Sequence, residues 1–130
     1  MRPRIGLLAC NSEASNTGAL AGAAAIEIIK KSDDVGILSL PSLANDVERQ
    51  VAIAKNIQHI IVVDGCKNSC AKKVLEKLNL KYDAYLNIEK DVGIRKRGPF
   101  STLKFSQEEV EKVKNKIKNL VEEVINNEEL

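Results

Sequence analysis

Apolar runs alternate with amphipathic stretches along the chain. The run at 59–65, HIIVVDG, has no polar alternation, as expected of a strand buried on both faces. Four apolar runs predict strands, and they lie at residues 4–10, 35–40, 59–65 and 82–88. The stretches between and after them predict helices, at residues 15–31, 45–56, 70–80 and about 106–126. The predicted order is therefore βαβαβαβα.

Local signals set several boundaries of these elements. Ser15 or Asn16 is the expected N-cap of the first helix, and Pro41 should end the second strand. Ser106 and Glu109 have the spacing of a capping box at the start of the last helix. The apolar stripe of that helix ends near Ile125, so the NNEEL tail is expected to fray. The stripe itself consists of Val110, Val113, Ile117, Leu120, Val121 and Val124.

Alternating strands and helices are typical of an open parallel sheet with helices on both faces. We therefore expect one domain, residues 1–130, with a three-layer α/β/α, Rossmann- or flavodoxin-like fold. The expected strand order is 2-1-3-4. In this order the first and third strands are neighbours, and ligands bind such sheets at the carboxyl ends of the strands where the order reverses.

Composition narrows the class of protein. A chain of 130 residues that is 44% hydrophobic can build one core, which must be aliphatic because aromatics make up only 3%. A net charge of +2 argues against a nucleic-acid partner. No run approaches the roughly 20 apolar residues of a membrane span, and IGLLA (5–9) is too short for a signal-peptide core. An odd cysteine count of 3 does not make a disulfide framework, so we expect a cytoplasmic protein with reduced thiols.

The three cysteines are expected to share one crevice. Cys10 ends the first strand and Cys66 follows the third, so both belong to the predicted switch point. Cys70 comes four residues after Cys66, and the i,i+4 relation of a helix should keep both sulfurs on one face. Sulfurs bound to one zinc ion at about 2.3 Å would lie about 3.5–4 Å apart.

The loops that carry these cysteines lead into helices. Free N–H groups at a helix N-terminus favour anions and should lower the pKa of a nearby thiol. Gly65 allows a tight turn and a close approach of backbone. Asp64 is expected either to cap the following helix or to act in the site. Further donors to an anion or to sulfur are expected from the first loop, at Asn11, Ser12, Ser15, Asn16 and Thr17 and at the amide near Gly18.

Three motifs resemble the DGC-domain family, which is named after the Asp-Gly-Cys found here at residues 64–66. They are C-x-S-x-A-S-N-x-G at 10–18, IVVDGCxxxCAKK at 61–73 and GIRK at 93–96. The resemblance implies a zinc site made of cysteines, with Cys10, Cys66 and Cys70 as ligands, and an undefined biochemical role. Members commonly have a fourth cysteine near the end of the second strand, but VGILSLPSLA (35–44) has none. The resemblance therefore does not imply a closed four-cysteine site here.

Three functions remain open at this point. The first is zinc binding, with a free position for water, a small anion or a partner's thiol. The second is a thiol-dependent redox or sulfur-transfer enzyme, with Cys10 or Cys66 as nucleophile and Cys70 as the resolving thiol. The third is an anion-binding or protein-interaction module whose cysteines are incidental. No catalytic residue is assigned beyond these alternatives.

Three other features of the sequence resemble parts of a functional site but are not expected to act in one. His59 precedes Cys66 by 7 residues, about 20 Å along an extended strand, so it is not expected as a ligand. The first loop resembles the phosphate loop of small tyrosine phosphatases, but those need an arginine where this chain has Asn16. The basic cluster IRKRGP (94–99) predicts a solvated loop on the site edge of the sheet.

Overall fold

The four predicted strands form one parallel sheet. A computed structural model describes residues 3–10 and 12–129, so the predictions for Asn11 and Leu130 lie outside the described residues. The strand order is 2-1-3-4, which confirms the prediction. The strands are β1 (Ile5–Ala9), β2 (Val35–Ile37), β3 (His59–Asp64) and β4 (Ala84–Asn87).

Helices cover both faces of the sheet. The first and last helices pack on one face, and the three others pack on the opposite face. Successive residues of β3 alternate between the two cores, so that Ile61 belongs to one and Val62 to the other. This burial explains the uninterrupted apolar run of that strand. The helices are α1 (Asn16–Ile29), α2 (Leu40–Ala44), α3 (Glu48–Asn56), α4 (Cys70–Lys77) and α5 (Gln107–Glu129).

The second strand is shorter than predicted. It ends at Ile37, and residues 40–44 form the short helix α2 instead of continuing the strand. Ser39 caps α2 by accepting a hydrogen bond from the N–H of Ser42 at 3.4 Å, and Pro41 lies in the first turn. Pro41 therefore acts as a helix-starting residue here as well as a strand breaker, because its fixed φ suits the first turn of a helix.

The last helix is longer than predicted. It continues to Glu129 rather than ending near residue 126, so the described part of the NNEEL tail is helical. Its extension is anchored on the sheet, where Glu128 Oε2 lies 2.9 Å from His59 Nε2 and 3.7 Å from a nitrogen of Arg4. At the other end, Ser106 and Glu109 exchange hydrogen bonds of 3.0 and 3.1 Å, which confirms the capping box.

The carboxyl ends of the three strands β1, β3 and β4 meet at one edge of the sheet. Ala9 pairs with Val63, and the N–H of Cys10 continues the ladder by donating to Val63 O at 3.0 Å. On the other side of β3, Asp64 pairs with Asn87. The parallel register therefore brings three polar strand ends to the predicted switch point. Among the described residues, no helix has both the length and the apolar character needed to cross a membrane.

Candidate functional site

Cys10, Cys66 and Cys70 line a single cleft at the carboxyl edge of the sheet. The cleft has a volume of about 60 Å³, which is room for an ion or one or two water molecules. All three cysteines are free thiols; Cys70 is exposed, and the other two are partly buried. Of the further predicted site residues, six also line it, namely Ser12, Ser15, Thr17, Gly18, Asp64 and Gly65.

The three thiols are not arranged as a ready metal centre. Among the described residues, no group of three or more His, Cys, Asp or Glu side chains is placed to hold a metal ion. Helix α4 begins at Cys70, and Ser69 before it has a left-handed conformation with φ 54°. Cys66 therefore lies in a loop and does not share a helical face with Cys70, contrary to the i,i+4 prediction. Zinc binding remains a prediction.

The packed fold changes the pKa of the Cys10 thiol. Burial raises the pKa of Cys10 above its ordinary value of 9.0, and the nearby Asp64 and Cys66 raise it further. The backbone N–H groups of Ser12 and Gly65 act in the opposite direction, but they do not outweigh burial. The expected lowering of the thiol pKa is thus wrong for Cys10, because α1 begins only at Asn16, several residues beyond this sulfur.

Cys66 has a cationic neighbour that sequence reasoning did not assign to the site. The ammonium group of Lys96 lies 3.8 Å from Cys66 Sγ, and Lys96 lines the cleft. The carbonyl of Cys66 is held by the side-chain amide of Asn87, which donates to it at 2.9 Å. The loop from β3 to α4 is thus positioned by the last residue of β4 and by the segment that follows it.

Glu89 ties two segments of the site together. Its carboxylate accepts hydrogen bonds of 3.1 Å from the backbone N–H groups of both Lys67 and Lys96. Burial is the largest single influence and raises the pKa of Glu89, but these N–H donors and the two lysine charges together outweigh it. The pKa therefore lies below its ordinary value of 4.5. Glu89 holds the Cys66 loop beside the segment that carries Lys96.

Asp64 caps helix α4 from the end of β3. Its two carboxylate oxygens accept hydrogen bonds from the N–H groups of Ala71 at 2.8 Å and Lys72 at 3.1 Å. The hydroxyl of Tyr85 also donates to Asp64, at 3.0 Å. Ser69, the residue at the N-cap position, makes no side-chain cap bond, so the more distant carboxylate satisfies the free N–H groups. This confirms the capping alternative for Asp64.

The loop that carries Cys66 packs against the backbone of the first turn of α1. A Cβ at Gly65 would lie 2.7 Å from the carbonyl oxygen of Thr17 and 2.8 Å from the nitrogen of Gly18. Only glycine allows this approach, as predicted for Gly65. Ser15 caps α1 by accepting a hydrogen bond from the N–H of Gly18 at 3.3 Å, which confirms one of the two predicted caps.

Asn16 holds a neighbouring loop rather than lining the cleft. Its side chain donates to the carbonyl of Arg95 at 3.0 Å and accepts from the N–H of Arg97 at 2.8 Å. Its own N–H donates to the Ser101 hydroxyl at 3.0 Å. Asn16 is buried, with 1% of its surface exposed. It therefore positions the segment on which Lys96 lies, and a direct role of Asn16 in binding stays a prediction.

His59 lies at the opposite edge of the sheet. It begins β3 and pairs with Ile5 at the start of β1. Its ring nitrogens lie 2.9 Å from Glu128 and 3.5 Å from Asp83. The exclusion of His59 from the site is confirmed.

Several residues that form or support the site were missed because they lie at the end of the fourth strand or after it. They are Asn87, Glu89, Lys96 and Ser101. One available signal was topological, since β4 neighbours β3 and its carboxyl end must lie at the same edge. A second was the GIRK motif at residues 93–96, which contains Lys96.

Comparison with protein families gives a match over most of the chain. A family model of the DGC domain matches residues 6–117, which include all the residues of the cleft and all four strands except Ile5. Neither the curated proteins nor the solved structures include a significant match to the chain.

Proposed function

Because the chain belongs to the DGC-domain family, we propose that it is a zinc-binding protein whose ligands are Cys10, Cys66 and Cys70. The observation that carries the proposal is that all three cysteines of the chain line one small cleft. Chance placement would more often bury such residues separately in the aliphatic core. Because all three lie at the edge of the sheet where ligands bind, we infer that they act in one site.

The donor set fits zinc by its chemistry. Thiolates are ligands that zinc prefers, and zinc binding would deprotonate even a buried thiol such as Cys10. The arrangement without metal does not yet hold the three sulfurs as a group. We expect the side chains to turn toward the ion, which is feasible for Cys66 in its loop and for the exposed Cys70.

Three protein ligands would leave one position on the ion. Asp64 does not suit this position, because both of its oxygens already accept backbone hydrogen bonds. Water, a small anion or a thiol from a partner would fill it, and Lys96 lies beside Cys66 to balance added negative charge. The chain's three free thiols suit a reducing compartment, and we propose the cytoplasm.

Metal analysis of the protein, purified without a nickel column or added metal, tests the proposal. We expect one zinc per chain, thiols that react only after chelation, and loss of zinc when Cys10, Cys66 or Cys70 is changed to serine. Zinc should also raise the free energy of unfolding, by an amount that grows with the logarithm of the free zinc concentration once this exceeds the Kd. Ile53→Ser, on the outside of α3, is the matched control and should keep its zinc. Metal-free protein that stays folded and binds no added zinc would refute the proposal.

A thiol-transfer enzyme is the second candidate, and the Lys96 contact favours it. The ammonium of Lys96 lies 3.8 Å from Cys66 Sγ and places a positive charge beside the sulfur that would attack. Cys66 would attack a substrate disulfide and release one substrate thiolate, and Cys70 would then displace the second and leave a Cys66–Cys70 disulfide. Cys10 suits the attack less well, since burial raises its pKa. Reduction of a model disulfide that is lost in Cys66→Ser, in protein without zinc, would favour this candidate.

A further inference from the structure

Two large apolar side chains project from the loop that follows the site. Phe100 is 93% exposed and Leu103 is 88% exposed, far more than the other exposed large apolar residues described, such as Ile26 at 51%. Single exposed apolar residues are common on protein surfaces. Two such residues within four positions of one loop are less common, and the other residues of this loop leave both side chains in solvent.

This exposure does not result from a loosely held loop. Ser101, between the two side chains, is buried and accepts a hydrogen bond from the N–H of Asn16 at 3.0 Å. The Ser101 hydroxyl donates to Gly98 O at 2.7 Å, and its N–H donates to Ala14 O at 3.3 Å. The loop is therefore fixed on the N-terminus of α1, with the two apolar side chains held in solvent.

The backbone at Phe100 is unfavourable for its residue type. Its φ of 61° lies in the left-handed region, which bulky residues seldom adopt. No buried contact of the ring offsets this cost, because the side chain is in solvent. Strained backbone of this kind concentrates at functional positions.

The surroundings of the two side chains are basic. Arg95, Arg97 and Lys104 are exposed, and the segment 93–105 has no acidic residue. Lys96, in the same segment, points into the thiol cleft and contacts Cys66. A molecule bound on this loop would therefore meet positive charge and would lie beside the cleft.

We propose that the 95–104 loop docks a protein that presents an apolar pocket bordered by carboxylates. Rigid aromatic and arginine side chains are typical of the centre of protein interfaces. Two apolar side chains on a fixed loop give little area for a membrane, where stable anchoring needs a larger apolar face or a second signal. That this partner exchanges a ligand with the cleft rests on the proposed function, whereas the docking itself does not.

Selection from a random peptide display library tests the docking. The protein is the bait, and a Phe100→Ser/Leu103→Ser variant removes peptides that bind elsewhere. We expect acidic peptides with an apolar residue, whose synthetic forms bind more weakly as salt is added. Each single serine variant should weaken binding about thirtyfold, the loss typical of an interface hot spot. Ile53→Ser, also a change of an exposed apolar residue, should bind as the unchanged protein does.

Other results would overturn the proposal. One is a selection that yields only peptides indifferent to Phe100. Another is Phe100-dependent binding to phosphatidylserine vesicles without peptide binding, which would indicate a membrane surface. A third is concentration-dependent self-association that is lost in Phe100→Ser, which would indicate a second copy of this chain. Zinc content should be the same in the variants, so failure of the docking is distinguishable from failure of metal binding.

Discussion

Removal of the Asp64 carboxylate should destabilise the fold more than loss of an ordinary helix cap. Asp64→Ala removes three hydrogen bonds, from the N–H of Ala71, the N–H of Lys72 and the hydroxyl of Tyr85. Loss of an exposed cap costs about 1 kcal/mol. Here the N–H of fully buried Ala71 loses its partner, which costs about 1–3 kcal/mol more. We therefore expect the free energy of unfolding to fall by about 3 kcal/mol.

The Asp64→Asn variant distinguishes the effect of the helix cap from the effect of the negative charge, because it keeps an oxygen acceptor and removes the charge. The amide oxygen can still accept from Ala71, and the amide nitrogen can donate to the Tyr85 hydroxyl if that hydroxyl turns. The bond from Lys72 is lost, so we expect a smaller cost of about 1 kcal/mol. Because Asp64 is not an expected zinc ligand, this variant should keep its zinc.

Urea unfolding followed by circular dichroism measures both variants. With a denaturant slope of about 1–3 kcal/mol per molar, Asp64→Ala should lower the midpoint by about 1–3 M. Glu123→Ala, an exposed change on α5, is the control and should change it little. A loss below about 0.5 kcal/mol in Asp64→Ala would refute the capping account. Loss of zinc from Asp64→Asn with unchanged stability would instead show that Asp64 acts on the metal.

Three further predictions concern the surroundings of the cleft. Glu89 has a lowered pKa in the folded chain, so the ionised carboxylate should make the protein more stable than the Glu89→Gln variant above pH 4.5. This difference in the free energy of unfolding should disappear as the pH falls through the folded pKa of Glu89. Unfolding at several pH values measures the difference, and one that grows toward acid would contradict the prediction. In metal-free protein with Cys66→Ser and Cys70→Ser, the rate of alkylation of Cys10 should rise with pH with a midpoint above 9.0. A lower midpoint would show that burial is not the main influence on the pKa of Cys10. Asn16→Ala should lower the free energy of unfolding by about 2–3 kcal/mol but keep zinc in folded protein, and a neutral effect on stability would argue against its role in holding the 95–104 loop.

Patterns that act over short distances could be read from the chain alone. The unbroken apolar run of β3 predicts burial on both faces, and Ser15 and the Ser106–Glu109 pair mark helix starts by bonds within one turn. Parallel pairing follows from the alternation of strands and helices. It brings Cys10 and Cys66 to one edge, because the carboxyl ends of parallel neighbours always lie together.

The environment of each thiol depended on contacts between segments far apart in the chain. Lys96 reaches Cys66 because Asn16 and Glu89 hold its segment in place, and the basic composition of that segment is equally typical of a solvated loop. The pKa of Cys10 follows from burial, which is a property of the packed fold. The length of α5 was decided in the same way, since Glu128 finds partners on the sheet only once the helix has packed there.

The sequence by itself therefore determined the strand order, the starts of α1, α4 and α5, and the edge at which the cysteines meet, since these depend on periodicity, caps and handedness. Tertiary structure decided which charges and donors face each sulfur, which polar residues support the loops, and that Phe100 and Leu103 remain in solvent. These depend on which distant segments come into contact, and hydrophobic burial alone does not specify such contacts because it is not directional.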